Sequence, residues 1–105
     1  MKLRVLSLAE TDVMEAALWY ESRQSGLGLA FWSAVDVAYR RIRSNPGGFP
    51  LWEDNQGDRP IRRMVLKQFP YVIYFEKRTT ETLVVAVSHA SRSPDHWLSR
   101  LGNPE

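Results

Sequence analysis

The sequence predicts an α+β fold: a helical hairpin packed on a small antiparallel sheet, in the order β-α-α-β-β-β with a short C-terminal helix. Three observations lead there. Leu27, Phe31, Val35, Ala38 and Ile42 recur at helical spacing, and a second helical pattern precedes them across a short break at 25–28. Three runs rich in β-branched and aromatic residues follow, over about 61–67, 71–77 and 83–90. Their connections are short enough to favour antiparallel hairpins. Helices beside such a sheet bury their apolar stripes against one of its faces.

Each element has a local cause. Lys2 to Leu6 reads as a short first strand. Ser7-Leu8-Ala9-Glu10 matches a capping box, with Ser7 as N-cap and Glu10 reaching back. The first helix then runs to about Gln24, with Val13, Ala16, Ala17 and Tyr20 as its apolar side. The second spans about Leu27 to Ser44. Arg41 and Arg43 in its last turn suit the helix dipole, and Asn45-Pro46-Gly47-Gly48 ends it. Residues 46–60 form a loop that Phe49, Leu51 and Trp52 pin to the body. Residues 78–82 make a turn between strands. Ser93-Pro94-Asp95 carries an N-cap residue, Pro at N1 and an acid, opening a short helix through Leu101 with Trp97 inward. Strand alternation puts Met64 and Leu66 on the core face, with Arg62 near a strand end. It puts Arg63, Val65 and Lys67 on the face the helices leave exposed.

Composition sets the limits. A chain of 105 residues with 44% hydrophobic and 25% charged content is a single soluble domain, 1–105. With no cysteine and two histidines, neither a disulfide framework nor a zinc-thiolate site is available, and no metal or organic cofactor is expected. No apolar run approaches the roughly 20 residues of a membrane span, and the apolar part of the N-terminus is too short for a signal peptide. A cytoplasmic location is expected. The net charge of +2 is uneven. Residues 1–58 hold six Lys/Arg against eight Asp/Glu, a balance of −2, and residues 59–105 hold eight against four, a balance of +4. The basic excess sits on the strands and tail, where it can steer an anionic partner or form an ordinary solvated face.

The chemistry-bearing residues are few. Imidazole side chains can act as acid or base near neutral pH, which makes His89 and His96 candidates for either role. Arg63, Lys67 and Arg92 can supply cations to a phosphate. RNA cleavage by 2′-hydroxyl attack needs a base, a cation for the charged phosphorane and an acid for the leaving oxygen. Each residue also has a structural reading. His89 can bond a backbone carbonyl, His96 can support Trp97, Arg92 can brace the C-terminal segment, and Tyr71 and Tyr74 can simply pack.

The helical hairpin, Arg62-Arg63, Lys67-Gln68-Phe69-Pro70-Tyr71-Val72-Ile73-Tyr74, Val85-Ala86-Val87-Ser88-His89 and Arg92-Ser93-Pro94-Asp95-His96-Trp97 together resemble the RelE/ParE superfamily, toxins of type II toxin–antitoxin (plasmid stabilisation) modules. The resemblance covers nearly the whole chain. It implies a small cytoplasmic toxin neutralised by a cognate antitoxin. Two activities are known in the family: ribosome-dependent mRNA cleavage (RelE-like) and inhibition of DNA gyrase without catalysis (ParE-like). If this chain is a ribonuclease, His89 and Arg92 are its catalytic candidates. The low net charge and only three lysines depart from the ribonuclease pattern, and the Phe69-Pro70-Tyr71 strand looks ParE-like. Gyrase inhibition is therefore favoured over mRNA cleavage, with an inactive antitoxin-binding module as a third reading. Related antitoxins lay a helix or extended arm in an apolar groove. Arg63, Lys67, Trp19, Trp32 and Trp52 are the candidates for that partner contact, ordinary packing being the alternative for each tryptophan.

Overall fold

The apolar stripe of the second predicted helix organises the whole core. The computed structural model describes residues 2–52 and 60–102. In it β1 (Lys2–Val5) leads into helix α1 (Ser7–Arg23) and helix α2 (Leu27–Ser44). A 3-10 turn (Pro46–Gly48) precedes β2 (Ile61–Val65), β3 (Tyr71–Lys77), β4 (Glu81–His89), helix α3 (Asp95–Leu98) and a closing 3-10 turn (Ser99–Gly102). The predicted element order therefore holds. Phe31, Val35, Ala38 and Ile42 are all buried, because their spacing keeps them on the α2 side that meets the sheet.

The four strands form one sheet in the order β1-β4-β3-β2. β2, β3 and β4 pair antiparallel through tight connections, as expected. β1 pairs parallel to β4, from Lys2 opposite Glu81 to Val5 opposite Val84. The two helices are the crossover that makes this parallel pair possible. One extra residue in β4, opposite the Tyr74–Phe75 step, shifts the register and makes a bulge at Val85.

The structure corrects several details. Ser7 does not cap α1: the N-cap is Leu6, with no side-chain cap bond. Leu6 N–H still bonds Val84 O (3.0 Å) as a sheet residue, and its own carbonyl accepts from Glu10 N–H (3.0 Å). Strand pairing thus hands over to helix at Leu6, leaving Ser7 inside the first turn. β2 ends at Val65 and β4 begins at Glu81. The Leu51 side chain is exposed, and this residue holds its segment through a backbone bridge to Arg62, whereas Phe49 and Trp52 pack against the core. The second sheet face is not left open either. Tyr74 points away from the helices, and Trp97 stacks on it at 4.5 Å with Trp52 against both rings. Covered on both sides, β4 is buried from Thr82 to Ser88.

The hairpin turn has its own fastening. The Glu21 carboxylate accepts from Gly26 N–H (3.0 Å) and Gly28 N–H (3.0 Å), filling vacant donors at the start of α2. Gly26 takes a left-handed φ of 94°. Gly28 lets the helices touch: a Cβ there would lie 2.8 Å from Ala17 O and 3.0 Å from Glu21 Cβ. Gly28→Ala is expected to lose about 1–2 kcal/mol net of its helix-propensity gain. A urea unfolding midpoint at or above that of the parent would refute that reading.

Tyr39 on α2 carries a buried hydroxyl with no hydrogen-bond partner among the described residues. Burial pushes its phenol pKa up from 10.0, and the Glu10 and Asp12 charges push it further. The unfolded chain therefore releases this proton first. Stability is full below pH 10 and declines as pH rises beyond it. Tyr39→Phe is expected to raise stability by about 1 kcal/mol and to flatten the alkaline decline. Thermal melts from pH 8 to 11 test both effects.

Candidate functional site

Residues of α1, the start of β3, the end of β4 and the loop after it line an open groove of about 470 Å³. Its floor and walls come from Trp19 and Tyr20 of α1, Tyr71 of β3, and His89 and Arg92. Tyr20 fixes its depth by packing edge-on to Phe69 (4.8 Å) and Tyr71 (6.1 Å), while Tyr71 lies edge-on to His89 at 5.3 Å. Desolvation raises the pKa of Tyr71; the nearby Arg92 charge opposes the shift and Asp12 adds to it. Tyr20 is raised by burial and by Tyr71. Both phenols therefore stay neutral donors across the physiological range.

His89 is half-buried at the end of β4. Its Nδ1 accepts Ser91 N–H (3.1 Å) and lies 2.8 Å from Ser91 Oγ. The neutral ring thus carries its proton on Nε2. The expected carbonyl bond is replaced by an amide, and the ring orients the β4–α3 loop. His96 Nδ1 lies 3.0 Å from Ser93 O within the same turn. Arg92 is exposed, and its backbone N–H bonds His89 O (3.0 Å).

The bracing of the C-terminal segment falls to Arg100, which sequence reasoning missed. β1 stops at Val5, so β4 runs on past it with an uncovered edge. Arg100 fills that edge: Nη1 donates to Val85 O (3.0 Å) and to Asp12 Oδ2 (2.7 Å), and Nη2 to Asp12 Oδ1 (3.0 Å). Asp12 in turn accepts Val87 N–H (3.1 Å). Both side chains are 10% exposed. Asp12 and Glu15 also line the groove, so its wall is partly acidic. No periodicity signals a pair separated by 88 positions.

The remaining candidates lie apart. Lys67 is exposed at the end of β2, in a cleft against α2. Arg63 is half-buried on the second sheet face, opposite Tyr74 in the ladder. Its charge opposes the desolvation that raises the Tyr74 phenol. Trp19 is half-exposed beneath the Arg23 guanidinium, 4.6 Å from the ring centroid. Trp32 is exposed on α2, and Trp52 is half-buried against Trp97. The fold brings His89, Arg92 and Trp19 together and places Lys67, Arg63, Trp32 and Trp52 elsewhere. Among the described residues no cluster of His, Asp or Glu could hold a metal ion, and no helix is long and apolar enough to cross a membrane.

A helical hairpin over a sheet of this order, closed by a short C-terminal helix, is the α+β arrangement expected from the sequence. The particular likeness is to a chain of a solved structure described as the chromosomal ParDE TA system from P. aeruginosa. The TM-score is 0.65 over 85% of this chain and 95% of that one, at 15% sequence identity. No protein-family model matches the chain, and no curated protein matches it in sequence.

Proposed function

We propose that this chain is the toxin of a type II toxin–antitoxin pair, held by a cognate antitoxin in the cytoplasm and acting ParE-like by inhibiting DNA gyrase. The observation that carries the reading is the shared backbone with a chain of the ParDE system over most of both lengths. The dispersal of the cations supports binding over catalysis. A ribonuclease needs base, acid and phosphate-binding cations around one phosphorus. Here Arg92 shares the His89 groove with the carboxylate of Glu15, and Lys67 and Arg63 point elsewhere. The Glu15 carboxylate on the wall offsets the Arg92 charge and weakens the phosphate attraction on which RNA affinity depends.

Expression of the chain alone tests the proposal. Filamentation with a DNA-damage response, and dose-dependent loss of supercoiling by purified gyrase, are expected. His89→Ala and Arg92→Ala should weaken inhibition by degrees. Rapid translation arrest with cut mRNA, abolished by either substitution, would establish the ribonuclease reading instead, which the shared groove of His89 and Arg92 favours. Absence of toxicity would leave an antitoxin-binding module.

A further inference from the structure

Helix α1 buries its small apolar side chains and exposes its large ones. Ala9, Val13, Ala16 and Ala17 face the core, whereas Met14 is 50% exposed and Leu18 65%. On α2, Leu29 is 73% exposed and Trp32 45%. These four residues share one surface. Gly28 meets Ala17 and Glu21 where the helices touch, and the two helices run antiparallel from there. At about 1.5 Å per residue, that register sets Leu18 level with Leu29 and Met14 close to the level of Trp32. The helical period turns Leu18 and Leu29 away from the buried side, with Met14 and Trp32 nearer the seam between the helices. The hairpin therefore presents one apolar patch on the side opposite the sheet. None of the four lines the His89 groove or the cleft beside Lys67. A patch of large apolar side chains on a helical surface marks an interaction site.

The charges name the occupant. α1 carries Glu10, Asp12, Glu15 and Glu21 against Arg23, a balance of −3. α2 carries Asp36 against Arg40, Arg41 and Arg43, a balance of +2. Among the described residues no ion pair engages Glu10, Glu15 or Arg43, and Arg40 is held only by Asp36 at the surface (2.7 Å). A second copy of this chain answers both signs at once. Turned about a two-fold axis parallel to the helices, it lays its α2 on α1 of the first copy and its α1 on α2, so that acid meets base twice. The same turn keeps every residue at its own level, and Met14 and Leu18 of one copy meet Trp32 and Leu29 of the other. An axis across the helices would set α1 on α1 and α2 on α2, like charge on like. A face about 25 Å long and about 20 Å wide buries roughly 500 Å² per copy and roughly 1,000 Å² in all, the lower bound for a specific interface. We infer that two copies of this chain pair hairpin to hairpin, with Met14, Leu18, Leu29 and Trp32 at the centre, in a weak and concentration-dependent dimer. Such pairing holds whether or not the chain is toxic.

Sedimentation velocity of the purified full chain, from about 1 µM to about 1 mM, is expected to show a monomer–dimer equilibrium with a Kd of about 10–100 µM. On concentration, amide shifts of the ¹⁵N-labelled chain should centre on Met14, Leu18, Leu29 and Trp32. Leu18→Glu with Leu29→Glu, both at exposed sites, should raise the Kd at least about tenfold without changing the fold of the monomer. Glu10→Lys with Glu15→Lys makes both helices basic, and Arg40→Glu with Arg43→Glu makes both acidic. Each of these double variants alone should stay monomeric, and an equimolar mixture of the two should pair about as tightly as the parent. A monomer at every concentration, a dimer that survives Leu18→Glu with Leu29→Glu, a mixture that stays monomeric, or shifts centred on β2 or the His89 groove would each overturn the pairing. If the chain alone is monomeric and the product of a neighbouring gene protects Leu18 and Leu29, the face belongs to that product, and the pairing fails while the toxin reading stands. If the chain dimerises through these residues but is not toxic, the toxin reading fails and the pairing stands.

Discussion

Trp97→Ala is expected to cost about 3–5 kcal/mol, a large part of the stability of a domain this size. Trp97 is fully buried, stacked on Tyr74 and packed against Trp52. It is the main apolar cover the short C-terminal helix gives to the second sheet face, and Ala would leave a void that α3, a single turn long, is poorly placed to close. For a chain of this length the loss corresponds to a fall in Tm of roughly 15 °C or more. Trp97→Phe keeps an aromatic plane against Tyr74 and should lose less than half as much. Calorimetry decides it: a drop under about 1 kcal/mol for the alanine variant would mean that the second face needs no cover.

Arg100→Met is the second large effect. It strips the nearly buried Asp12 carboxylate of its charge partner and Val85 O of its donor at once. Removing one member of such a pair costs about 3–5 kcal/mol, because a charge is left behind without compensation. Asp12→Asn should be milder, since an amide oxygen can still accept Val87 N–H. In the Asp12→Asn background the Arg100→Met cost should shrink by about 1–3 kcal/mol. Chemical denaturation of the four proteins in this cycle measures it. Additive losses would show that Arg100 acts through Val85 O alone.

What could be read in the sequence was local. The α2 stripe, the limits of β3 and the inward Trp97 follow from spacing and residue type, because neighbours along an element decide them. Ser7 misled because the capping-box pattern is blind to Leu6, which the sheet draws into pairing with Val84. The nearness of His89 and Arg92 was legible from three positions of separation. The acidic wall of their groove was not, since Asp12 and Glu15 arrive from α1.

The parallel β1–β4 pair also bears on synthesis of the chain. Lys2–Val5 finds its partner only at Glu81–Val84, and Asp12 finds its counter-ion only at Arg100. Contacts of such separation form late and slowly. A chain emerging from the ribosome N-terminus first can assemble its helical hairpin early, yet its first strand has no neighbour until β4 has been made. Truncated translation products would therefore lack a closed sheet, and the native surfaces would exist only on molecules synthesised through the closing 3-10 turn.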